Sequence, residues 1–179
     1  MKRQKRTVSI ALLLLAAFLM ITGSASAQGR VIHYWGDQVE NLGATIPPPV
    51  PLPGGRFLTE GWLSHARYTA DPEVALDLIT GDWHFEIGAI RQPSGVMKAW
   101  GSGVSYLDEF GGLGCDEGGG GWLGTFHGTL VPNDQGTYTA VINGSNVGCG
   151  KLEGWTMKHQ EIWYADGSKY FSGHFTPGK

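Results

Sequence analysis

Glycine restricts the fold of this chain more than any other feature. There are 29 glycines among 179 residues, against about 7% in an average protein, and no Gly-X-Y period makes them collagenous. Long helices tolerate so much glycine poorly, because each one costs backbone entropy. Many short strands joined by tight turns use glycine and aromatic residues together in this way. Seven Trp and seven Phe argue against low-complexity disorder. Charged residues make up only 16%, below the ~25% usual in soluble domains, so an acidic disordered tail is excluded. Beyond its first twenty residues the chain is also too poor in Ala, Glu, Lys and Leu for a bundle or coiled coil.

Those first residues read as an export signal. Lys2, Arg3, Lys5 and Arg6 form a basic region, and an apolar run from Val8 to Ile21 follows. Ala25-Ser26-Ala27 then places small residues at a cleavage site, as a secretory signal peptide requires. The run is shorter than the ~20 apolar residues of a membrane span, so cleavage after Ala27 and no stable membrane anchor are expected. Localisation would be secreted, periplasmic or extracellular. Cleavage removes four basic residues and leaves nine Lys and Arg against sixteen Asp and Glu, which changes the net charge from −3 to −7. With no basic cluster to offset that charge, nucleic acid is excluded as a partner.

Two cysteines, Cys115 and Cys149, in an exported chain read most simply as one disulfide. Each sits between turn-forming residues, Gly114-Cys115-Asp116 and Gly148-Cys149-Gly150. No His adjoins either one and no second Cys pair completes a zinc set.

Residues 28–55 read as an N-terminal arm and Pro-rich linker, with Pro47-Pro48-Pro49, Pro51 and Pro53 as a stiff spacer. A compact domain over 56–179 follows. Turn signals divide it into candidate strands at 56–68, 74–80, 82–91, 96–106, 121–130, 136–143, 150–164 and 168–175. Asp71-Pro72-Glu73 is by itself a good helix start, with Asp as N-cap and Pro at the first helical position. Eight antiparallel strands on this length suit a small all-β barrel, calycin-like in size, or a sandwich. A period of two turns Trp122, Phe126 and Leu130 inward and His127 outward. It likewise turns Trp83, Phe85, Ile87 and Ala89 inward, with Asp82, His84 and Glu86 outward.

The order of motifs carries a resemblance. Thr69-Ala70-Asp71-Pro72-Glu73-Val74 precedes Gly121-Trp122-Leu123-Gly124-Thr125-Phe126-His127-Gly128, then Gly136-Thr137-Tyr138, Gly150-Lys151-Leu152-Glu153-Gly154 and Phe171-Ser172-Gly173-His174-Phe175. Over about residues 56–179 this resembles bacterial secreted proteins with an allene-oxide-cyclase-like (dirigent-like) barrel. The resemblance implies an eight-stranded antiparallel barrel and favours a strand over 74–80. It implies no cyclase activity, because the plant enzyme's active-site residues have no matching positions here.

Common catalytic motifs are absent. None of the ten serines lies in a Gly-x-Ser-x-Gly elbow, and the glycine run at 111–121 has no Gly-Lys-Ser/Thr of a phosphate loop. Asp116-Glu117 falls short of the six to eight oxygens that Ca²⁺ takes. The histidines form no metal-binding pattern, so neither metal nor cofactor is expected. Asn143-Gly144-Ser145 is a glycosylation sequon, expected to be unused behind a bacterial-type signal.

One constellation remains. In the segment 150–164 the odd positions are Trp155, Met157, His159, Glu161 and Trp163. If the tryptophans point inward, His159 and Glu161 share that face about 7 Å apart and suit the roles of acid and base. A bulge midway would turn both to solvent, and on a fifteen-residue strand that is the simpler expectation. Trp83, Trp122, Phe126, Tyr138, Trp155 and Trp163 are candidate ligand-binding rings, which in a barrel this size either pack the core or line a site for one small apolar ligand. The leading expectation is a non-catalytic exported barrel that binds a small apolar molecule or a surface partner, as monomer or oligomer. An isomerase or cyclase using His159 and Glu161, and a structural barrel with a filled core, are the alternatives.

Overall fold

The computed structural model describes residues 31–71 and 76–178. The signal peptide expected at 1–27 lies outside them. The chain forms ten strands: β1 (Ile32–Gly36), β2 (Gln38–Thr45), β3 (Val50–Leu52), β4 (Arg56–Thr69), β5 (Gly81–Arg91), β6 (Met97–Leu107), β7 (Gly120–Pro132), β8 (Tyr138–Gly150), β9 (Thr156–Trp163) and β10 (Lys169–Thr176). One short helix, α1 (Leu76–Ile79), lies between β4 and β5. The strands form one antiparallel sheet in the order β1-β10-β9-β8-β7-β6-β5-β4-β2, with β3 paired to β4.

This sheet is curled into a half-barrel. Its two outermost strands, β1 and β2, are consecutive in the chain and separated only by Asp37. The first half of that bent ribbon pairs with β10 and the second half with β4. The backbone N–H of Asp71, just beyond β4, also donates to the Trp35 carbonyl at 3.0 Å.

The all-β antiparallel class agrees with the sequence reading, and four details depart from it. The strands number ten, nine of them on one continuous path, where eight were expected. Residues 32–52, read as arm and linker, supply β1, β2 and β3, and Tyr34 is buried in the core. Proline misleads here because β3 is a short edge strand, where a missing N–H costs little. Residues 76–79 are helical, so local propensity prevails over the strand expected at 74–80; residues 72–75 lie outside the described residues. Residues 144–149, between the strands expected at 136–143 and 150–164, lie instead within β8, and β9 begins only at Thr156.

Inward alternation follows the expected period. Trp83, Ala89, Trp122 and Leu130 are buried, whereas His84, His127 and Thr129 are exposed. Glycine's place in the strands has a steric cause, because large rings lean across glycines on neighbouring strands. The Phe85 ring lies where a Cβ at Gly103 would come within 2.7 Å, and the Phe126 ring stands in the same relation to Gly101 at 2.6 Å. Both are register partners. Such pairs let a narrow curled sheet hold large aromatic side chains, since the neighbouring position contributes no volume.

One end of the interior is packed solid. Tyr34, Ile79, Leu107, Trp122, Met157, Phe171 and Phe175 are each at most 1% exposed. The α1 segment plugs this end, its carbonyls held by two indoles: Trp122 Nε1 donates to Leu78 O at 2.7 Å and Trp83 Nε1 to Ile79 O at 3.2 Å. A second, smaller cluster of Ala89, Ala99, Leu130 and Ala140 lies elsewhere in the interior. The expected disulfide is present, joining Cys115 to Cys149 at the end of β8 with Cα atoms 5.7 Å apart. No helix among the described residues is long and apolar enough to cross a membrane.

Candidate functional site

A cavity of about 150 Å³ lies inside the curled sheet. Its wall combines ring faces with small residues that leave the space: Trp62, Trp83, Phe85, Phe126 and Trp163 alongside Ala44, Ala66, Ala99, Gly103 and Gly144. Two backbone irregularities aim its first strands. A register shift between Asn41 and Gly43 lets Val39, Asn41 and Ala44 all reach the wall. Another between Thr59 and Trp62, at Gly61 with φ +69°, sets Trp62, Ser64, Ala66 and Tyr68 on one face.

His159 and Glu161 both line this cavity. The bulge that would have turned them outward is absent: β9 keeps an unbroken register with β8 and with β10. Uninterrupted pairing on both sides holds the period of two, so the simpler sequence expectation is corrected. They are not bonded to each other; Glu161 has one partner from across the interior and one from β9 itself, and His159 has one from β1. Tyr68, on β4, donates its hydroxyl to Glu161 Oε2 at 2.7 Å, and Trp163 Nε1 donates to Oε1 at 2.6 Å. Glu161 is 4% exposed, and no Lys, Arg or His nitrogen among the described residues comes within ion-pair distance of it.

His159 Nδ1 lies 2.8 Å from the Tyr34 hydroxyl, which also lies 3.3 Å from the Lys158 carbonyl. Tyr34 reaches it across β10 because the residue between them is Gly173, the register partner of both. A Cβ at Gly173 would collide with the Tyr34 hydroxyl and the Lys158 carbonyl. Nε2 makes no hydrogen bond to the described protein. When the hydroxyl donates to Nδ1, Nε2 carries the proton; when it donates to Lys158 O, Nε2 is free to accept one.

Burial dominates the electrostatics. It lowers the His159 pKa from its ordinary value, with Glu161 opposing more weakly. It raises Tyr34 and Tyr68, the latter helped by the negative charge of Glu161. The imidazole and the two phenols are therefore neutral, in a mostly apolar cavity they share with the Glu161 carboxyl group.

Of the other rings proposed from the sequence, Trp83, Phe126 and Trp163 line the cavity. Trp122 does not: it is fully buried in the packed end, stacked on Phe175 at 5.3 Å. Trp155 packs beside that same cluster, in the turn before β9, and Tyr138 packs against the smaller cluster. Trp62 lines the cavity as well, and Tyr34 and Tyr68 were missed. Tyr34 lay in the supposed arm, and Tyr68 follows a two-residue alternation with Trp62 only from Gly61 onward. Trp62 Nε1 is buried without a hydrogen-bond partner, six residues or about 20 Å along β4 from Tyr68. Compared with known proteins, the chain matches no protein-family model and no curated protein.

Proposed function

We propose that this is an exported β-barrel protein, closed through the β1–β2 ribbon, that binds one small, mostly apolar molecule in its interior. The observation that carries this reading is the cavity of about 150 Å³ walled by Trp62, Trp83, Phe85 and Phe126. An apolar cavity of that size accepts a molecule about as large as benzene. Wall residues such as Ala99 and Gly103 leave it open where larger side chains would fill it, which weighs against a solid structural barrel. The resemblance to allene-oxide-cyclase-like barrels is consistent with this architecture.

Native mass spectrometry of residues 28–179, exported through the secretory route, tests the reading. A mass excess lost on activation, and absent from Ala99→Leu, supports it. For a bare protein, titration with benzyl alcohol should show saturable binding that Ala99→Leu abolishes. A wild-type protein that neither carries nor takes up such a molecule overturns it.

A second reading has an observation of its own. His159 Nε2 is unpartnered beside the cavity, so it can give or take a proton from a bound molecule, as an isomerase or cyclase would require. Replacing His159 and Glu161 by Ala separates the two. A binder keeps its ligand with modest loss, while an enzyme still binds but ceases turnover.

A further inference from the structure

Within the binding reading just proposed, the chemistry of the wall narrows the ligand. Glu161 is a buried carboxylate whose two protein donors, the Tyr68 hydroxyl and the Trp163 indole N–H, are both uncharged. Indole nitrogen can only donate, so Oε1 accepts, and with the Tyr68 hydroxyl donating to Oε2 both oxygens accept, the arrangement that favours the charged form. Removing such a charge from water without a counter-charge is costly. Lys169 also lines the cavity. Its ammonium lies 4.4 Å from the centroid of the Trp163 ring and forms no ion pair with Glu161.

Aromatic rings line the same cavity. Tyr68 meets Trp83 at 5.6 Å and Phe85 at 6.4 Å, and Phe85 meets Phe126 edge-on at 5.6 Å. Their faces carry negative quadrupole density, and sets of such faces recognise ammonium groups. Lys169 on Trp163 is an example of that attraction already in place.

We infer that the cavity selects a small organic cation, a primary amine on a group no larger than a benzyl ring, with Glu161 as its counter-charge. A neutral ligand would leave Glu161 with its two uncharged donors and no charge in contact, and an anion would add a second negative charge beside it.

The test compares benzylamine, benzyl alcohol and benzoate, which are alike in size and differ in charge, by calorimetric titration of the exported wild-type chain at neutral pH. Benzylammonium should bind at least roughly tenfold tighter than benzyl alcohol, and benzoate should not bind. In wild-type protein the amine should also shift the Trp163 indole N–H resonance, which reports on the carboxylate directly. Glu161→Gln should bring the affinity ratio of benzylammonium to benzyl alcohol down to about one. Equal wild-type affinities for amine and alcohol, or a preference for benzoate, would overturn the cation inference and leave the apolar-binding reading standing. Binding of none of the three overturns both. The wild-type comparison decides the matter even if the Gln variant does not fold.

Discussion

The Tyr68 hydroxyl reaches across the interior from β4 to the Glu161 carboxylate on β9, a 2.7 Å bond between strands five apart in the sheet order. With the Trp163 N–H on the other oxygen, it accounts for how a carboxylate survives at 4% exposure. Hydrogen bonds to a buried charge are worth about 1.5–3 kcal/mol each. Tyr68→Phe and Trp163→Phe should each lower the unfolding free energy by about that much in urea titrations. The two losses should be non-additive, because they fall on one carboxylate. In a Glu161→Leu background, Tyr68→Phe should cost much less.

Gly173 holds the other half of the site open. It lies between Tyr34 and His159 in the register, and a side chain there would obstruct the hydroxyl on its way to Nδ1. Gly173→Ala should destabilise the fold by about 1–3 kcal/mol, the usual cost of overpacking. It should also shift the His159 imidazole resonances. An alanine that leaves both stability and those resonances unchanged would remove Gly173 from the site.

Much of this was legible in the sequence, and the failures have identifiable causes. Period-two alternation turned Trp83, Phe85 and Phe126 inward, but for His159 and Glu161 a bulge to solvent was the simpler expectation, and only the unbroken pairing of β9 on both sides keeps them inward. Trp122 has the same periodicity as Phe126, yet one is core and the other cavity wall; alternation gives the face and not the depth. Tyr34 and Tyr68 were missed because their role depends on pairing across the interior, at separations of 125 and 93 residues. Local pattern carries nothing about contacts at that range. Leu63, at 54% exposed, made the alternation around Tyr68 harder to read.

The Cys115–Cys149 bridge ties the 3₁₀ turn Cys115–Glu117 to the end of β8. Closing a 34-residue separation restricts the unfolded chain and contributes about 3–4 kcal/mol in the chain-entropy model. Reduction, or Cys115→Ser with Cys149→Ser, should lower the urea midpoint accordingly. Neither should abolish small-molecule uptake, since neither cysteine lines the cavity. Intact-mass measurement should show two protons fewer than the dithiol form.

Stability should fall on both sides of neutrality, for opposite reasons. The His159 pKa is lowered on folding, chiefly by burial, so below its ordinary 6.5 the unfolded chain binds a proton that the folded chain resists. Stability from this group is complete above that value and lost as pH falls toward the folded pKa. His84, also lowered by burial and by the neighbouring His65, adds to the acid limb from a more exposed position. Tyr34 and Tyr68 are raised, so their contribution is complete below the ordinary 10.0 and is lost as pH rises above it. Urea midpoints measured from pH 4 to 11 should form a plateau between these limits. His159→Gln keeps an acceptor for the Tyr34 hydroxyl and carries no titrating proton, so it should flatten the acid limb and leave the alkaline one. An acid limb unchanged by that substitution would assign the pH dependence to His84 and the surface instead.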